Sequence, residues 1–174
     1  DQIARILTLE QGKTFIAAKG EVQFAEAFCN YFANQSLDNQ LLKDDDSSII
    51  EIHRLPLGVV AAIAPWNFPF LIAVYKTAPA ILMGNSIILK PAPTTPISTC
   101  FFGELLQPIV PRGLINIITD ENELGPTITR HPDIAKISFT GSTFTGKKVA
   151  ENSGSTLTRL TLELGGNDPA IVMA

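Results

Sequence analysis

The chain has 174 residues, 45% hydrophobic and only 17% charged, with 13 basic against 17 acidic side chains and a formal net charge of -4. No basic cluster exceeds the Lys147–Lys148 pair, which excludes an electrostatic footprint for nucleic acid or an anionic membrane. Soluble domains average about 25% charged residues, so the low value calls for a sheet buried on both faces or for a segment shaped to lie against more protein. Cys29 and Cys100 are too few for a disulfide framework in a chain of this length, and reduced thiols in a cytoplasmic setting are expected. Asp1 to Arg5 run directly into a helical pattern, so no leader peptide is expected. The longest apolar stretch, Leu55 to Val74, is broken by Pro56, Pro65, Asn67 and Pro69, and no continuous membrane-crossing helix fits it.

The first 40 residues are expected to be helical. Ile3, Ile6 and Leu7 form one apolar stripe, and Phe24, Phe28 and Phe32, with Cys29, form another at i, i+4 spacing that makes Cys29 a core residue. Asp44-Asp45-Asp46 followed by Ser47-Ser48 reads as a solvated turn; it lacks the Gly and terminal Glu of a calcium loop, so no metal is expected. Ile50, Ile52 and Arg54 then alternate with Glu51 and His53, as in a strand with at least one exposed face and His53 at the surface. From Gly58 onward, strand-like runs at Val59–Ala64, Ser86–Lys90, Leu114–Thr119, Lys136–Phe139, Leu160–Glu163 and Ala170–Met173 alternate with helical patterns. The helices are placed around Phe70–Leu82, Pro96–Gln107, Leu124–His131 and Gly146–Asn152. This repetition implies an α/β fold: a parallel sheet covered by helices on both faces, whose doubly buried strands account for part of the low charge.

Open α/β sheets bind ligands outside the carboxyl ends of their strands, so the residues that follow each apolar run are the candidates. After Val59–Ala64 come Pro65-Trp66-Asn67-Phe68-Pro69, where two prolines fix the backbone around one amide. That holds a hydrogen-bond donor still, or is a Pro-rich connection with a packed Trp. Phe68, Leu71, Ile72 and Tyr75 then share one helical face, either core or the wall of an apolar channel. Lys90 finishes a buried strand, so its ammonium must emerge at the ligand rim or find a carboxylate. Phe139-Thr140-Gly141-Ser142, followed by Gly146-Lys147 opening a helix, is a strand, turn and helix N-terminus suited to phosphate. Gly141 to Lys148 also follows the P-loop pattern up to its last position, where Lys148 replaces the magnesium-binding Ser/Thr; a nucleotidase reading therefore stays open. Glu163, in an apolar strand before Gly165-Gly166, is expected to be withdrawn from water and so to hold its proton more tightly, as suits a general base near neutral pH, or else to turn toward an adjacent Lys.

In order along the chain, Leu7-Thr8-Leu9-Glu10-Gln11-Gly12-Lys13, Pro56-Leu57-Gly58-Val59-Val60, Pro65-Trp66-Asn67-Phe68-Pro69, Leu89-Lys90-Pro91-Ala92, Phe139-Thr140-Gly141-Ser142-Thr143 and Leu162-Glu163-Leu164-Gly165-Gly166 resemble the motifs of the aldehyde dehydrogenase superfamily over essentially the whole chain. The resemblance implies a Rossmann-like domain that binds NAD or NADP and, in the complete enzyme, oxidises an aldehyde to a carboxylic acid. By the same resemblance Asn67 would donate its amide to the oxyanion formed when a catalytic thiolate attacks the aldehyde. Ile63, Pro65 and Trp66 would line the dinucleotide cleft. Lys90, with Ala92 and Pro93, would meet the adenosine ribose, and Gly141, Ser142 and Gly146 the pyrophosphate. Glu163 would activate the hydrolytic water, with Leu164 and Gly165 near the nicotinamide. Phe68, Ile72 and Tyr75 would line the aldehyde tunnel, and Lys76 would be a proton-relay partner of Glu163. A homo-oligomer is implied, with residues 49–55 near the junction of an oligomerisation arm.

Two departures from the family pattern stand out. Many members carry a Glu three residues after the ribose lysine, where it repels a 2′-phosphate; here that residue is Pro93, which implies weaker discrimination against NADP. The family's catalytic cysteine follows the general base in a different domain, and neither Cys29 nor Cys100 occupies its motif position. The 174 residues are therefore expected to be a partial coenzyme-binding domain without its own aldehyde-oxidising activity. A non-catalytic module that binds a dinucleotide or pairs with another subunit is the alternative reading, and a P-loop nucleotidase a remote one.

Overall fold

The computed structural model describes residues 1–173. Helices α1 (Gln2–Gln11) and α2 (Phe15–Ala33) come first. They are separated by Gly12, whose φ of 89° closes α1 in the left-handed conformation, and by Thr14, whose hydroxyl caps α2 by accepting from the Ala17 amide at 3.3 Å. Next comes an antiparallel ribbon of β1 (Gln40–Asp45) and β2 (Ser48–Ile52), apart from the main sheet. The rest alternates strand and helix: β3 (Val59–Ile63), α3 (Pro69–Leu82), β4 (Ser86–Lys90), α4 (Ile97–Leu106), β5 (Ile115–Ile117), α5 (Gly125–Arg130), β6 (Ile134–Gly141), α6 (Thr143–Ser153) and β7 (Arg159–Leu164).

The five main strands are parallel, in the order β5-β4-β3-β6-β7. Counted from β3, this is 3-2-1-4-5, the order of a dinucleotide-binding fold, and it reverses between β3 and β6. Successive residues of β3 serve opposite faces: Ala61 packs with Ile128, Ile137 and Val149 under α5 and α6, whereas Ala62 packs with Ala73, Ile87 and Leu89 under α3. A third cluster, with Ala4, Leu7, Ala18, Ala25, Phe70 and Val74 at its centre, joins α1 and α2 to the outside of α3.

Several expectations are corrected. Cys29 is exposed. The face that α2 buries is Ala18, Glu21 and Ala25: the two alanines allow the close approach to α1 and α3, Glu21 is buried with Lys13 and the Phe70 and Leu71 amides as partners, and the aromatic stripe lies to one side. Phe28 reaches across to Tyr75 at a ring separation of 4.9 Å, while Phe24 stays exposed. Residues 40–45 are a strand, not the end of a helix and the start of a turn; the turn itself lies between Asp45 and Ser48, where Asp45 Oδ1 accepts from both the Ser47 and Ser48 amides. Residues 170–173 have strand composition but form no ladder among the described residues and stay exposed. Helix α6 starts at Thr143, three residues before Gly146.

Candidate active site

A cleft of about 1170 Å³ opens at the carboxyl ends of the strands, where their order reverses. Ile63, Pro65, Trp66, Asn67, Ile72 and Tyr75 line it from β3 and α3, Lys90, Ala92 and Pro93 from the end of β4, Gly141 and Ser142 from β6, and Glu163, Leu164 and Gly165 from β7. Three of the expected site residues stand outside this lining: Phe68, Lys76 and Gly146.

Asn67 is exposed in the turn that leads into α3, and its Oδ1 accepts from the Phe68 amide at 3.0 Å. Because that donor is a backbone N–H, the acceptor must be the oxygen, which leaves the Nδ2 amide free to donate. The turn is held by residues that sequence reading passed over. Glu21, buried in α2, caps α3 from outside by accepting from the Phe70 and Leu71 amides, both at 3.0 Å. Lys13 pairs with Glu21, donates to the Asn67 carbonyl at 2.8 Å and lies 4.4 Å from the centre of the Phe68 ring. Phe68 is thereby engaged with Lys13. The Leu7–Lys13 motif carries this residue, but the turn that Lys13 holds lies 54 positions away in the chain.

Lys90 is 3% exposed and meets both fates foreseen for it: it lines the cleft and ion-pairs with Asp120 in the loop after β5, with Asn122 Oδ1 at 3.4 Å. On the other side of the reversal, Ser142 is the N-cap of α6 and accepts from the Thr145 amide at 3.1 Å. The first-turn amides of α6 and the helix dipole thus point toward the cleft. The Gly141–Lys148 segment contains no phosphate-wrapping loop, since β6 runs through Gly141 and α6 begins at Thr143; the P-loop reading is overturned on that geometry. Gly146 sits inside α6, where a Cβ would overlap Leu164 Cδ2, so it is a point of helix–strand packing.

Glu163 pairs in register with Thr140 and is exposed, because it lies on β7, an edge of the sheet. The expected withdrawal from water is therefore not found. Lys76 is buried beside a second cavity of about 430 Å³ that shares Tyr75 with the main cleft, and it donates to Ser138 Oγ at 2.9 Å. Burial pulls its ammonium down to about 8, with Lys136 adding to the fall and Glu163 opposing it. Both thiols shift the other way. Neighbouring apolar side chains partly desolvate the Cys29 thiol and raise it although the residue as a whole is exposed, and burial together with Glu10 and Glu104 raises Cys100, the reverse of what an activated nucleophile needs.

The sequence profile of the aldehyde dehydrogenase family matches residues 1–174. The chain is 42% identical to phenylacetaldehyde dehydrogenase of Pseudomonas fluorescens, over all of this chain and 37% of that protein. It is 41% identical to succinate-semialdehyde dehydrogenase [NADP(+)] 1 of Schizosaccharomyces pombe, over 99% of this chain and 36% of the relative. A crystal structure of betaine aldehyde dehydrogenase from Staphylococcus aureus in complex with NAD+ superposes with a TM-score of 0.89 at 34% identity, over 94% of this chain and 34% of that one. The chain thus spans little more than a third of the length of the curated relatives it matches. The match over every residue, and the strand order and cleft that accompany it, lead to one conclusion: this chain belongs to the aldehyde dehydrogenase family.

Proposed function

We propose that the chain is the coenzyme-binding part of an NAD(P)-dependent aldehyde dehydrogenase that converts an apolar or aromatic aldehyde to a carboxylic acid. The observation that carries this reading is the single cleft at the β3/β6 reversal, which joins an amide donor, an ammonium, a helix N-terminus and a carboxylate. A dinucleotide fits these residues. The volume exceeds the roughly 300–1,000 Å³ of ordinary small-molecule sites, Lys90 stands at the ribose end, and the α6 N-terminus suits a pyrophosphate. When bound, the nicotinamide supplies the acceptor for the hydride that leaves the aldehyde carbon.

The chain's own residues bind, orient and move protons. The free Nδ2 of Asn67 holds the developing oxyanion, and the clamp of Lys13 and Glu21 keeps its turn in place. Glu163, open to water at the cleft, takes a proton from the water that releases the acid. Lys76, buried beside the second cavity and sensing the Glu163 charge, is poised to relay that proton. Ile72 and Tyr75 present an apolar wall to the aldehyde, while Phe68, outside the cleft lining, packs against Lys13 beside the Asn67 turn. The nucleophilic thiolate is not one of the two thiols present. An exposed β1–β2 ribbon, continued by residues 53–55, supports an arm for homo-oligomerisation, and a cytoplasmic enzyme fits the reduced thiols.

The purified 174-residue chain should form no NADH or NADPH when given aldehydes, and clear turnover would sink the reading. In the full-length protein, Asn67→Ala should lower kcat by about 10²–10³-fold while leaving coenzyme affinity nearly unchanged.

A further inference from the structure

In the order 3-2-1-4-5, the coenzyme's adenosine ribose is recognised at the end of the second strand, where a carboxylate favours a free 2′-hydroxyl and a basic group accommodates a 2′-phosphate. The second strand is β4, which ends at Lys90. Lys90 alone, with Pro93 three residues later, describes a site tolerant of a 2′-phosphate. The fold adds a carboxylate from the neighbouring strand: β5 pairs with β4 as far as Leu89 opposite Ile117, and the Ile118 amide donates to the Leu89 carbonyl at 3.1 Å. Chain continuing past that point brings Asp120 onto Lys90.

We propose that Asp120 makes this site select NAD over NADP, by neutralising Lys90, the cleft-lining ammonium that would otherwise meet a 2′-phosphate. The inference rests on the coenzyme-binding reading above. Asp120 Oδ2 is occupied by the Leu124 amide at 2.7 Å, which fixes the carboxylate; Oδ1 meets Lys90 and no other protein group among the described residues, and the side chain is 6% exposed. Oδ1 is closed off from water behind Lys90, so the carboxylate acts on the ribose site through Lys90 and not by direct contact. Burial works to raise the Asp120 carboxyl, but Lys90 and the Leu124 and Asn122 amides outweigh it and hold the group below the usual range, so it is charged at neutral pH.

Beyond Lys90, the one cation that lines the cleft among the described residues is Lys148, across the strand-order reversal on α6. Glu121 and Glu123 flank Asp120 in the same loop, and no arginine lines the cleft among the described residues. Arg130 is engaged by Asn152 Oδ1 at 2.9 Å, and Lys148, on the α6 wall, lies 4.4 Å from the centre of the Phe144 ring. A phosphate monoester carries a charge of about -1.5 to -2, and a lysine already neutralised by a buried carboxylate does little to balance it. Relatives named for NADP and a neighbour in complex with NAD+ both occur among the matches, so family membership leaves the choice open.

The test is calorimetric titration of the full-length protein with NAD+ and with NADP+ at one ionic strength, for the wild type, Asp120→Asn and Glu121→Gln. The wild type should bind NAD+ at least tenfold more tightly. Asp120→Asn, which keeps an acceptor for the Leu124 amide, should narrow the ratio at least tenfold, chiefly by tightening NADP+, and Glu121→Gln should leave it within threefold. A wild-type ratio near one or in favour of NADP+ overturns the proposal even if a variant fails to fold. An unchanged ratio in Asp120→Asn, or an equal change in Glu121→Gln, overturns it as well. If neither coenzyme binds, the coenzyme-binding reading itself fails, a result distinct from a wrong preference.

Discussion

Lys76 is a cation held out of water with a hydroxyl as its hydrogen-bond partner, and its energetics give a prediction at the scale of one residue. Its folded-state pKa of about 8 lies below the ordinary value of 10.5. Below pH 8 both folded and unfolded chains carry the charge, so the cost of burying it is fully present, on the order of 3 kcal/mol for that gap. Between pH 8 and 10.5 the unfolded chain holds a proton that the folded one has released, and stability rises with pH. Denaturant midpoints should therefore climb across this window in the wild type and stay flat in Lys76→Met. Near pH 7 the variant should be more stable by about 1–2 kcal/mol, since losing the bond to Ser138 offsets about 1 kcal/mol of the gain. A flat wild-type profile would contradict the assignment.

The same scale shows why some side chains in and around the cleft are legible in the sequence and others are not. Asn67, Lys90 and Glu163 announce themselves through their immediate neighbours: prolines around an amide, a lysine ending an apolar strand, a carboxylate before two glycines. Glu10, Glu21 and Asp120 do not, because each acts on a distant part of the chain. Glu10 caps α4 by accepting from the Ile97 and Ser98 amides at 2.6 and 3.1 Å, across 87 and 88 residues. A helix N-terminus has orphan amides whatever lies beside it, and only folding decides which carboxylate supplies the partner.

At the scale of elements, β3 to β7 and their helices were legible within a few residues because doubly buried strands are continuous apolar runs with sharp ends. The first element of the ribbon is not legible in the sequence, because Gln40–Asp45 ends in two aspartates of an acidic run that reads as a turn and neither of its faces is buried. Helix α6 was placed a turn late, since Ser142-Thr143 reads as part of a glycine turn until its capping bond is seen. Packing of α6 on β7 passes through Gly146 and Leu164. Gly146→Ala gains about 0.8–1 kcal/mol of helix propensity and forces the Leu164 side chain, itself part of the cleft wall, to turn aside. Thermal unfolding should place its stability within about 1 kcal/mol of the wild type. Coenzyme affinity should nevertheless fall several-fold, and unchanged affinity would show that Leu164 moves away from the site.

At the scale of the whole molecule, the accessible surface is 11006 Å², about a third more than the about 8,300 Å² expected of a compact monomer of 18.8 kDa. Exposed apolar side chains contribute to it, among them Leu41, Leu42, Ile49 and Ile50 on a ribbon whose two strands have no third strand beside them among the described residues. A two-stranded ribbon is marginal by itself, and an exposed apolar edge is a template for pairing. The isolated chain should self-associate at micromolar concentrations in sedimentation velocity. Leu42→Lys with Ile50→Lys should shift it toward monomer without changing the helix signal of the α/β body; a monomeric wild type would refute this.

The low charge follows from both causes its composition allowed: strands buried on two faces, and apolar surface left uncovered. The sequence by itself determined the class of fold, the strand–helix alternation and the cleft residues whose chemistry is local, because burial periodicity and turn chemistry act over a few residues. Tertiary structure alone decided the order of the strands, the clamp on the Asn67 turn, the exposure of Cys29 and Glu163, and the pairing of Lys90 with Asp120. Those depend on contacts between segments tens of residues apart, whose geometry exists only once the sheet has formed.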